Sequence, residues 1–504
     1  MEGRPRGRFA PARHPLIVLV GFMGAGKSTA AREIAVDLGV RAVDADALLA
    51  ERLGAPIEAF FAEHGEADFR RREEELVLEL LDRPDDAVVA LGGGAVESPR
   101  VREALRRHRV VLLDVEADVA WSRCKDTARP LARDRDAFNA LHARRRPLYE
   151  EVAHVIAPAV RGMARRAAAL VPDGARAVWA HTDGGDYPVI VGRGVRKLDV
   201  GAPGRPFVVT DDEVGPRWAP DAHVVVPAGE AAKTIDTASA VWRDLVRLGA
   251  TRGDHLRAVG GGCVTDLAGF CAATYQRGIP IVQVPTTLLA MVDAAIGGKT
   301  AVDLPEAKNY VGAYHQPLAV LADTETLATL PAEEHAAGYA EVVKTALIAG
   351  GRLWERVASG APVDDDVIFS CARTKVAIVA QDERDGGRRQ VLNLGHTVAH
   401  AIETVTGYER LRHGEAVALG LLAALRLSGQ DELRARVREL LAHARLPTTL
   451  EGLDVDAILT AMHRDKKRTG ASVPFVLVAA PGDVSHGHVV GEAAVREAVA
   501  ELTR

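Results

Sequence analysis

The sequence of 504 residues is poor in aromatic residues, cysteines and long apolar runs, and each scarcity excludes a class of protein. Aromatic residues make up 4% of the chain, so its cores must be built mainly from valine, leucine, isoleucine and alanine. Its four cysteines form no Cys-x-x-Cys pair, which favours a reducing, cytoplasmic location over a disulfide scaffold. Because no stretch of roughly 18 apolar residues is present, we predict no transmembrane helix.

The formal net charge of −6 provides no basic footprint for a nucleic acid, so anionic partners would need local clusters of lysine and arginine. Apolar residues make up 48% of the chain and charged residues 26%, which excludes a disordered chain, a collagen and a coiled-coil rod. At roughly 100–200 residues per domain, the length predicts two or three domains. Residues 1–14 are rich in arginine and proline, and we expect a disordered lead-in there and not a signal peptide.

Short apolar runs alternate with amphipathic stretches over the first half of the chain, which is typical of an α/β fold with parallel strands. A helix-breaking sequence at 171–174 predicts a domain boundary near 172–178, and after about residue 330 the sequence becomes mainly helical. The predicted strands lie at 15–20, 88–91, 110–114, 177–180, 187–191, 207–210, 223–226 and 256–259, and the clearest helices at 28–38, 161–170 and 266–273.

Residues 21–28, GFMGAGKS, match the phosphate-binding loop motif and stand between a predicted strand and a predicted helix. In such a loop the backbone N–H groups surround phosphate oxygens, Lys27 reaches the β- and γ-phosphates, and Ser28 can bind Mg²⁺. We therefore predict an ATP site formed by Gly21, Gly24, Ala25, Gly26, Lys27, Ser28 and Thr29.

Further polar residues indicate what kind of molecule accepts the phosphoryl group. Asp44 and Asp46 follow a predicted strand, and their spacing places both carboxylates on one side of an extended segment, one for the Mg²⁺ shell and one for an acceptor hydroxyl. The glycine triplet 92–94 permits close approach of a ligand, and widely spaced arginines suit a carboxylate and a phosphoryl group.

Together these motifs resemble shikimate kinase over about residues 15–170. The resemblance implies in-line transfer of the γ-phosphoryl group of ATP to the 3-hydroxyl of shikimate. Lys27, Ser28 and Asp44 would handle ATP and Mg²⁺, Asp46 would orient or deprotonate the hydroxyl, and Arg129 would lie in a mobile lid over residues 123–136. The implied shikimate contacts are Asp46, Arg70, Gly92, Gly93, Gly94 and Arg145.

A second glycine triplet, at 260–262, follows a predicted strand and precedes a predicted helix, as in a pyrophosphate site. Asp211 ends another predicted strand, where a carboxylate can hold ribose hydroxyls. The spacing of His396 and His400 places both on one helix face, so spacing alone favours these two as metal ligands. Other polar residues in the same region are Glu230, Lys233, Thr286, Thr287 and Asp293.

Residues 185–490 resemble 3-dehydroquinate synthase. The resemblance implies that Glu341, His396 and His413 bind a catalytic Zn²⁺ or Co²⁺ and that His400 contacts the substrate. It implies that NAD⁺ is bound by Asp211, Glu230, Lys233, Gly261, Gly262, Asp266, Thr286, Thr287, Asp293, Lys299, Lys308 and Asn309. The implied catalytic and substrate residues are Arg277, Asp293, Lys299, Asn309, Lys344, Lys375, Arg389, Asn393, His400 and one of Lys466 and Lys467, with Lys466 preferred. Asp385 departs from the family, in which glutamate is more usual at this position.

The implied reaction converts 3-deoxy-arabino-heptulosonate 7-phosphate to 3-dehydroquinate and phosphate, with NAD⁺ regenerated in each cycle. The chain would then be a bifunctional enzyme of aromatic amino acid (chorismate) biosynthesis, with a shikimate kinase-like domain at 15–172, an α/β NAD-binding half at 178–330 and a helical metal-binding half at 331–504. The family resemblance also implies a homodimer formed through the synthase half.

Four other interpretations remain open at this stage. The second part could be a redox enzyme similar to glycerol dehydrogenase, or another sugar-phosphate cyclase of the aminodehydroquinate, valiolone or deoxy-inosose synthase type. The first part could be similar to gluconate kinase, or a nucleotide-sensing module without kinase activity.

Overall fold

The computed structural model describes residues 16–83, 86–125, 130–408, 410–452, 454–469 and 473–503. The chain forms two compact units, Met1–Ala177 and Val178–Arg504. The lead-in expected at residues 1–14 lies outside the described residues. Within the described ranges, no helix combines the length and the apolarity that a membrane crossing would need.

The first unit contains a parallel sheet whose strands are short and almost fully buried. Val18 pairs with Val89 and with Val110, and all three side chains are excluded from solvent, which explains why these segments contain few polar residues. The strands follow the order β2-β3-β1-β4-β5. Their bounds are β1 (Ile17–Val20), β2 (Arg41–Asp44), β3 (Ala87–Ala90), β4 (Arg109–Asp114) and β5 (Val155–Pro158).

Helices connect these parallel strands, as the alternating sequence pattern predicts. The first helix buries Ala31, Ile34 and Ala35 on one face and ends at Gly39, whose left-handed backbone lets its N–H bond back to the last turn. The helices are α1 (Lys27–Leu38), α2 (Ala45–Leu53), α3 (Ile57–Leu81), α4 (Pro99–Leu105), α5 (Ala117–Cys124), α6 (Arg135–Val152) and α7 (Met163–Leu170).

The second unit begins with α/β structure, as predicted. β6 (Arg176–Thr182) contains the boundary between the units, and it neighbours β7. Parallel strands follow in the order β7-β14-β11-β10-β8-β9, and two antiparallel hairpins, β12-β13 and β15-β16, stand apart from this sheet. The bounds are β7 (Gly185–Gly192), β8 (Pro206–Asp211), β9 (Val224–Val226), β10 (His255–Gly260), β11 (Ile281–Pro285), β12 (Lys299–Leu304), β13 (Ala307–Tyr314), β14 (Ala319–Asp323), β15 (Phe475–Ala480) and β16 (Asp483–His488).

The remainder of the second unit is mainly helical, which confirms the prediction that the chain becomes mainly helical after about residue 330. The central helix α15 is buried on nearly every face from Gly414 to Leu425, so it forms the middle of the helical half. The helices are α8 (Gly215–Trp218), α9 (Ile235–Arg247), α10 (Gly262–Thr274), α11 (Ala332–Ala349), α12 (Gly351–Ala358), α13 (Asp365–Gln381), α14 (His396–Val405), α15 (His413–Leu427), α16 (Asp431–His443), α17 (Val455–Thr469) and α18 (Glu492–Ala500).

Candidate active sites

The loop between β1 and α1 forms a cradle for an anion. Gly21, Gly24 and Gly26 have φ angles of 143°, 81° and 88°, which only glycine adopts readily. Gly26 is the N-cap of α1, and no side chain caps the first turn, so its N–H groups face the loop. Lys27 Nζ donates to the carbonyl oxygens of Gly21 at 2.9 Å and Phe22 at 3.2 Å. The loop therefore has the positive potential and the backbone donors that a phosphate requires.

Asp44 and Asp46 lie in two different elements, so the expectation that both occupy one extended segment is wrong. Asp44 is the last residue of β2 and the N-cap of α2, where its side chain accepts a hydrogen bond from Ala47 N at 3.2 Å. Asp46 lies in the first turn of α2 and is exposed. The capping bond ends the strand at Asp44, two residues before Asp46.

Two arginines converge beside the glycine triplet of the first unit. Arg70 lies against Gly94, where an added Cβ atom would stand 2.0 Å from its Nη1 atom. Its Nη1 donates to Glu73 at 2.6 Å, and burial raises the pKa of Glu73 although Arg70 opposes the rise. Arg145 is 1% exposed, and its Nη2 donates to Glu97 at 3.0 Å.

Both arginines keep a buried donor without an acceptor. The Nε atoms of Arg70 and Arg145 are inaccessible to water and have no hydrogen-bond partner among the described residues. Such donors cost free energy unless a ligand accepts them, so the pair fits a carboxylate. Arg129, predicted to lie in the lid, falls outside the described residues.

In the second unit, three neighbouring parallel strands end together in polar residues. Gly260 ends β10, Thr286 follows β11, and Asp211 ends β8. Gly261 is the N-cap of α10 without a side-chain cap. The hydroxyl of Thr286, although buried, has no hydrogen-bond partner in the residue ranges that the structure describes. The crevice at the carboxyl ends of parallel strands fits the pyrophosphate of a dinucleotide.

Five of the predicted nucleotide residues form one network of ion pairs and hydrogen bonds at this edge. Lys233 Nζ donates to Asp266 at 3.0 Å and to Asn309 Oδ1 at 2.5 Å. Glu230 lies 3.6 Å from Lys233 and 3.5 Å from Lys308, and although burial opposes it, these lysines lower the pKa of Glu230 to about 2. Asp211 instead accepts N–H groups of the following turn, and burial raises its pKa.

Three side chains from three helices meet at one point in the helical half. Glu341 Oε1 lies 3.3 Å from His413 Nε2 and 3.6 Å from His396 Nε2. Ligands about 2.1 Å from a tetrahedral metal ion are about 3.4 Å apart, so these separations fit a Zn²⁺ or Co²⁺ ion. Glu341 is fully buried, and within the described part of the chain neither of its oxygens accepts a hydrogen bond of good geometry.

Two glycines allow these helices to approach so closely. An added Cβ atom at Gly414 would stand 2.0 Å from the carbonyl oxygen of Ala337 in α11, and one at Gly420 would stand 2.0 Å from the carbonyl oxygen of Gly395. His413 is therefore brought to Glu341 by the residue that follows it. This contact explains the glycine in the sequence His-Gly-Glu at 413–415.

Hydrogen bonds at the other ring nitrogen orient both histidines. His413 Nδ1 lies 3.1 Å from Glu403 Oε1, and His396 Nδ1 lies 3.1 Å from the carbonyl oxygen of Leu394. Both Nε2 atoms are thus directed toward Glu341. Burial lowers the pKa of His396 to about 3. Burial acts in the same direction on His413, but the adjacent carboxylates of Glu341 and Glu403 outweigh it and raise the pKa of His413 to about 10.

His400 is exposed and does not share a set of convergent ligand atoms with His396 among the described residues. A second set, formed by His400, Glu403 and His413, also lies within ligand distance. In that set the Nδ1 atom of His413 is already hydrogen-bonded to Glu403. The structure therefore brings together the ligands implied by the family resemblance and not the pair favoured by spacing.

Buried cations surround Asp293, next to the metal ligands. Lys344 Nζ lies 3.2 Å from Asp293 Oδ2 and 2.6 Å from Glu341 Oε2. Lys375 donates to the carboxylate of Asp293 and to its carbonyl oxygen at 2.6 Å. Burial lowers the pKa of Lys375, and the two lysines hold the pKa of Asp293 well below its usual range despite its burial.

The other predicted synthase residues are distributed around this centre. Arg389 is buried and donates to the carbonyl oxygens of Gly297 and Glu383, while Lys299 pairs with Asp385. Asn393 is exposed, two residues before Gly395. Arg277 is exposed after α10 and makes no hydrogen bond or ion pair with described residues. Lys466 lies in α17.

Three carboxylates that sequence reasoning did not single out contact site residues. Glu73 pairs with Arg70, Glu97 pairs with Arg145, and Glu403 orients His413. Glu97 comes three residues after the glycine triplet, which is a usable signal. Glu403 is one buried acid in an otherwise apolar helix face, and such a residue needs a partner.

Comparisons with known proteins identify the families of both parts of the chain. The shikimate kinase family profile matches residues 23–170, and the N- and C-terminal profiles of 3-dehydroquinate synthase match residues 223–337 and 338–468. The 3-dehydroquinate synthase of Symbiobacterium thermophilum is 42% identical over 63% of this chain and 98% of its own length, and that of Caulobacter vibrioides is 43% identical over 55% and 80%.

A solved structure, the valiolone synthase ValA of Streptomyces hygroscopicus with NAD⁺ and Zn²⁺ bound, is 25% identical over 64% of this chain and 96% of its own, with a TM-score of 0.57. That likeness is weaker than the sequence likeness to the dehydroquinate synthases. The chain therefore belongs to the 3-dehydroquinate synthase family, with a shikimate kinase domain preceding the synthase in the same polypeptide.

Proposed function

We propose that the chain catalyses two reactions of aromatic amino acid biosynthesis. The first unit would phosphorylate shikimate at the expense of ATP, and the second would convert 3-deoxy-arabino-heptulosonate 7-phosphate to 3-dehydroquinate and phosphate. The family matches of both parts support this assignment, and the charges of the two sites support the anionic substrates.

In the kinase site, the loop after β1 would hold the phosphates of ATP, with Ser28 and Asp44 on the Mg²⁺ side. Arg70 and Arg145 would donate hydrogen bonds to the carboxylate of shikimate, and the Nε–H group of each has no partner among the described residues. Asp46 lies close to Gly92, as a Cβ atom added to Gly92 would stand 2.4 Å from Asp46 Oδ1. We assign Asp46 to orienting the acceptor hydroxyl, since transfer of this kind depends mostly on positioning and neutralisation of charge.

In the synthase site, Glu341, His396 and His413 would hold the metal ion, and the strand ends of β8, β10 and β11 would hold NAD⁺. When bound, NAD⁺ supplies hydride chemistry and the metal ion polarises a substrate hydroxyl. ValA was solved with both groups, which supports their presence here.

The lysines around Asp293 would bind the anionic groups of the substrate. An ammonium group has three donors, and Lys344 and Lys375 each use two of them on protein oxygens within the described part of the chain. Each retains a donor for a carboxylate or phosphate oxygen. Asp293 fixes the two lysines while leaving that donor available.

The observation that carries the synthase proposal is the convergence of three ligand atoms beside these buried cations. A redox enzyme of the glycerol-dehydrogenase type has no need of Lys344 and Lys375 for an anionic substrate. The relatives at 42% and 43% identity favour dehydroquinate synthase over the valiolone type.

The test uses the full-length protein in two assays. We expect ADP to form when shikimate and MgATP are supplied, and phosphate to be released from heptulosonate 7-phosphate with NAD⁺ and Zn²⁺. Phosphate release only from sedoheptulose 7-phosphate would assign the second unit to the valiolone type, and release only from the amino analogue would assign it to the aminodehydroquinate type. ATP binding without ADP formation would identify the first unit as a nucleotide sensor.

The chain would work in the cytoplasm as a homodimer. All four cysteines lie in the described part of the chain and none forms a disulfide, which suits a reducing compartment. The dimer is supported by the family resemblance, and sedimentation equilibrium of the full chain would measure it.

A further inference from the structure

Glu97 occupies the space between the two arginines that would bind the substrate. It lies at the end of the short turn Ala95–Glu97, directly after the glycine triplet. Its Oε2 atom is 3.0 Å from Arg145 Nη2 and 3.8 Å from Arg70 Nε. Its Oε1 atom accepts a hydrogen bond from Arg144 Nη2 at 3.0 Å.

The charge of Glu97 opposes an incoming anion. Although burial works against ionisation, hydrogen bonds from Arg145 and Arg144 lower the pKa of Glu97, so the side chain is a carboxylate at neutral pH. Glu73 already neutralises Arg70 at 2.6 Å. With Glu97 in place, the positive charges of Arg70 and Arg145 are balanced before any substrate arrives.

The contact with Arg70 does not orient that residue, because 3.8 Å is too long for a hydrogen bond. Even with Glu97 in place, the Nε–H group of Arg145 has no hydrogen-bond partner among the residues described. Arg144 is 67% exposed and offers Glu97 a second partner toward the solvent. Glu97 can therefore leave the arginine pair without losing all of its ionic contacts.

We propose that Glu97 is an internal competitor for the substrate's carboxylate and sets the affinity of the kinase site for carboxylated substrates. This inference rests on the proposed shikimate kinase function. A substrate carboxylate displaces Glu97 from Arg145, and Glu97 turns to Arg144. Part of the binding free energy of the substrate is spent on that exchange.

The decisive variant is Glu97→Gln, which keeps the shape of the side chain and removes its charge. We expect KM and the calorimetric Kd for shikimate to fall by about three- to tenfold, as for loss of one partly exposed like charge. KM for ATP and kcat should stay within about twofold, and affinity for the analogue with –CH₂OH in place of the carboxylate should not change.

Two further variants provide a control and an independent test. Glu79 also bridges two arginines, Arg52 and Arg83, away from this site, so Glu79→Gln is the matched control and should leave KM unchanged. Arg144→Gln removes the alternative partner of Glu97 and should raise KM for shikimate. Synthase activity of each preparation reports the concentration of folded protein.

A raised KM in Glu97→Gln would show that Glu97 positions the arginines and would overturn the proposal. An unchanged KM, or an equal gain for the carboxylate-free analogue, would overturn it too. If the wild-type chain bound shikimate but formed no ADP, the proposed kinase function would fail, while the calorimetric comparison would still decide the role of Glu97.

Discussion

The two ring nitrogens of His413 face two different carboxylates, Glu341 and Glu403. Glu341 approaches the nitrogen that would bind the metal ion. Glu403 accepts from the other nitrogen, which fixes the tautomer and makes the ring a stronger donor to a metal ion. Glu403 is therefore a positioning residue for the metal site.

Replacing Glu403 by Gln should weaken zinc binding by roughly ten- to hundredfold while leaving all three ligands in place. The amide keeps the size of the side chain but carries no charge, so His413 becomes less basic. Competition with a chromophoric chelator measures the affinity without reference to activity. Glu439→Gln, which alters a surface contact with Arg436 at 2.7 Å, is the control. Equal zinc affinity in both variants would exclude a role for Glu403.

For individual residues, the sequence predicts the type of chemistry better than it predicts which side chains meet at one site. The spacing of His396 and His400 reports only that both lie on one helix face, and it cannot show that Glu341 and His413 reach the same point from other helices. That meeting depends on the close contact at Gly414, which is a property of packing. The ligand set came from the family resemblance and remains a prediction until metal is measured.

Among the elements of the first unit, the glycine triplet after β3 fixes the position of Arg70. An added Cβ atom at Gly94 would stand 2.0 Å from Arg70 Nη1 and 2.4 Å from its Cζ atom, so the guanidinium would have to move. Gly94→Ala should lower kcat/KM for shikimate by at least about tenfold, since misplacement by an ångström can cost that much or more.

The control for this variant is Gly491→Ala, because the Cβ atom there would meet open space. We expect it to leave both activities unchanged. Steady-state kinetics with shikimate and thermal unfolding together separate lost positioning from lost stability. A Gly94→Ala protein with wild-type kcat/KM would mean that Arg70 does not contact the substrate.

Tyr408, between α14 and α15, contacts a lysine of the predicted nucleotide site of the second unit. Lys308 Nζ lies 4.6 Å from the ring centroid of Tyr408, which follows α14 with a φ of 61°. A bulky residue rarely adopts that backbone conformation, and a hydrogen bond from Tyr408 N to the carbonyl oxygen of Glu403 at 2.9 Å helps to hold it. The ring therefore links the β12-β13 hairpin to the segment that carries Glu403.

Tyr408→Leu should weaken NAD⁺ binding by about two- to tenfold, the range of a cation–π contact. Tyr408→Phe keeps the ring face and should bind NAD⁺ like the wild type. Calorimetric titration of NAD⁺ into the full chain gives both values. If the two variants were equally weak, the hydroxyl and not the ring would be responsible.

Several strands with continuous apolar runs are predicted from the sequence almost to the residue, because burial on both faces removes polar residues, but the apolar strands β14 and β15 are not among the predicted ones. The predicted strands at 88–91, 110–114 and 256–259 are confirmed as β3, β4 and β10. The hairpin β15-β16 was not predicted: its second strand alternates exposed and half-buried residues, including His486 and His488, and contains no apolar run. Local capping by Asp44 was missed for a similar reason, since it depends on a single hydrogen bond.

At the scale of the whole molecule, the net charge gives no sign of the cationic side chains buried at the sites. The chain carries a formal charge of −6, yet Arg145, Lys344 and Arg389 are at most 2% exposed and Lys375 is 8% exposed. Charged side chains are rarely buried without partners, so such a group predicts anionic ligands more strongly than composition can.

The division of the chain after Ala177 separates the two sets of site residues completely. Lys27→Ala should reduce kinase activity by at least about a hundredfold, because it removes the cation nearest the transferred phosphoryl group, whereas synthase activity should stay within about twofold. His413→Ala should have the opposite effect. Both assays on one preparation of full-length protein measure this directly. Equal loss of the two activities in either variant would mean that the units depend on each other for folding or turnover. Independent loss would mean that each site works through its own residues, and that joining the units in one polypeptide fixes the molar ratio of the two enzymes.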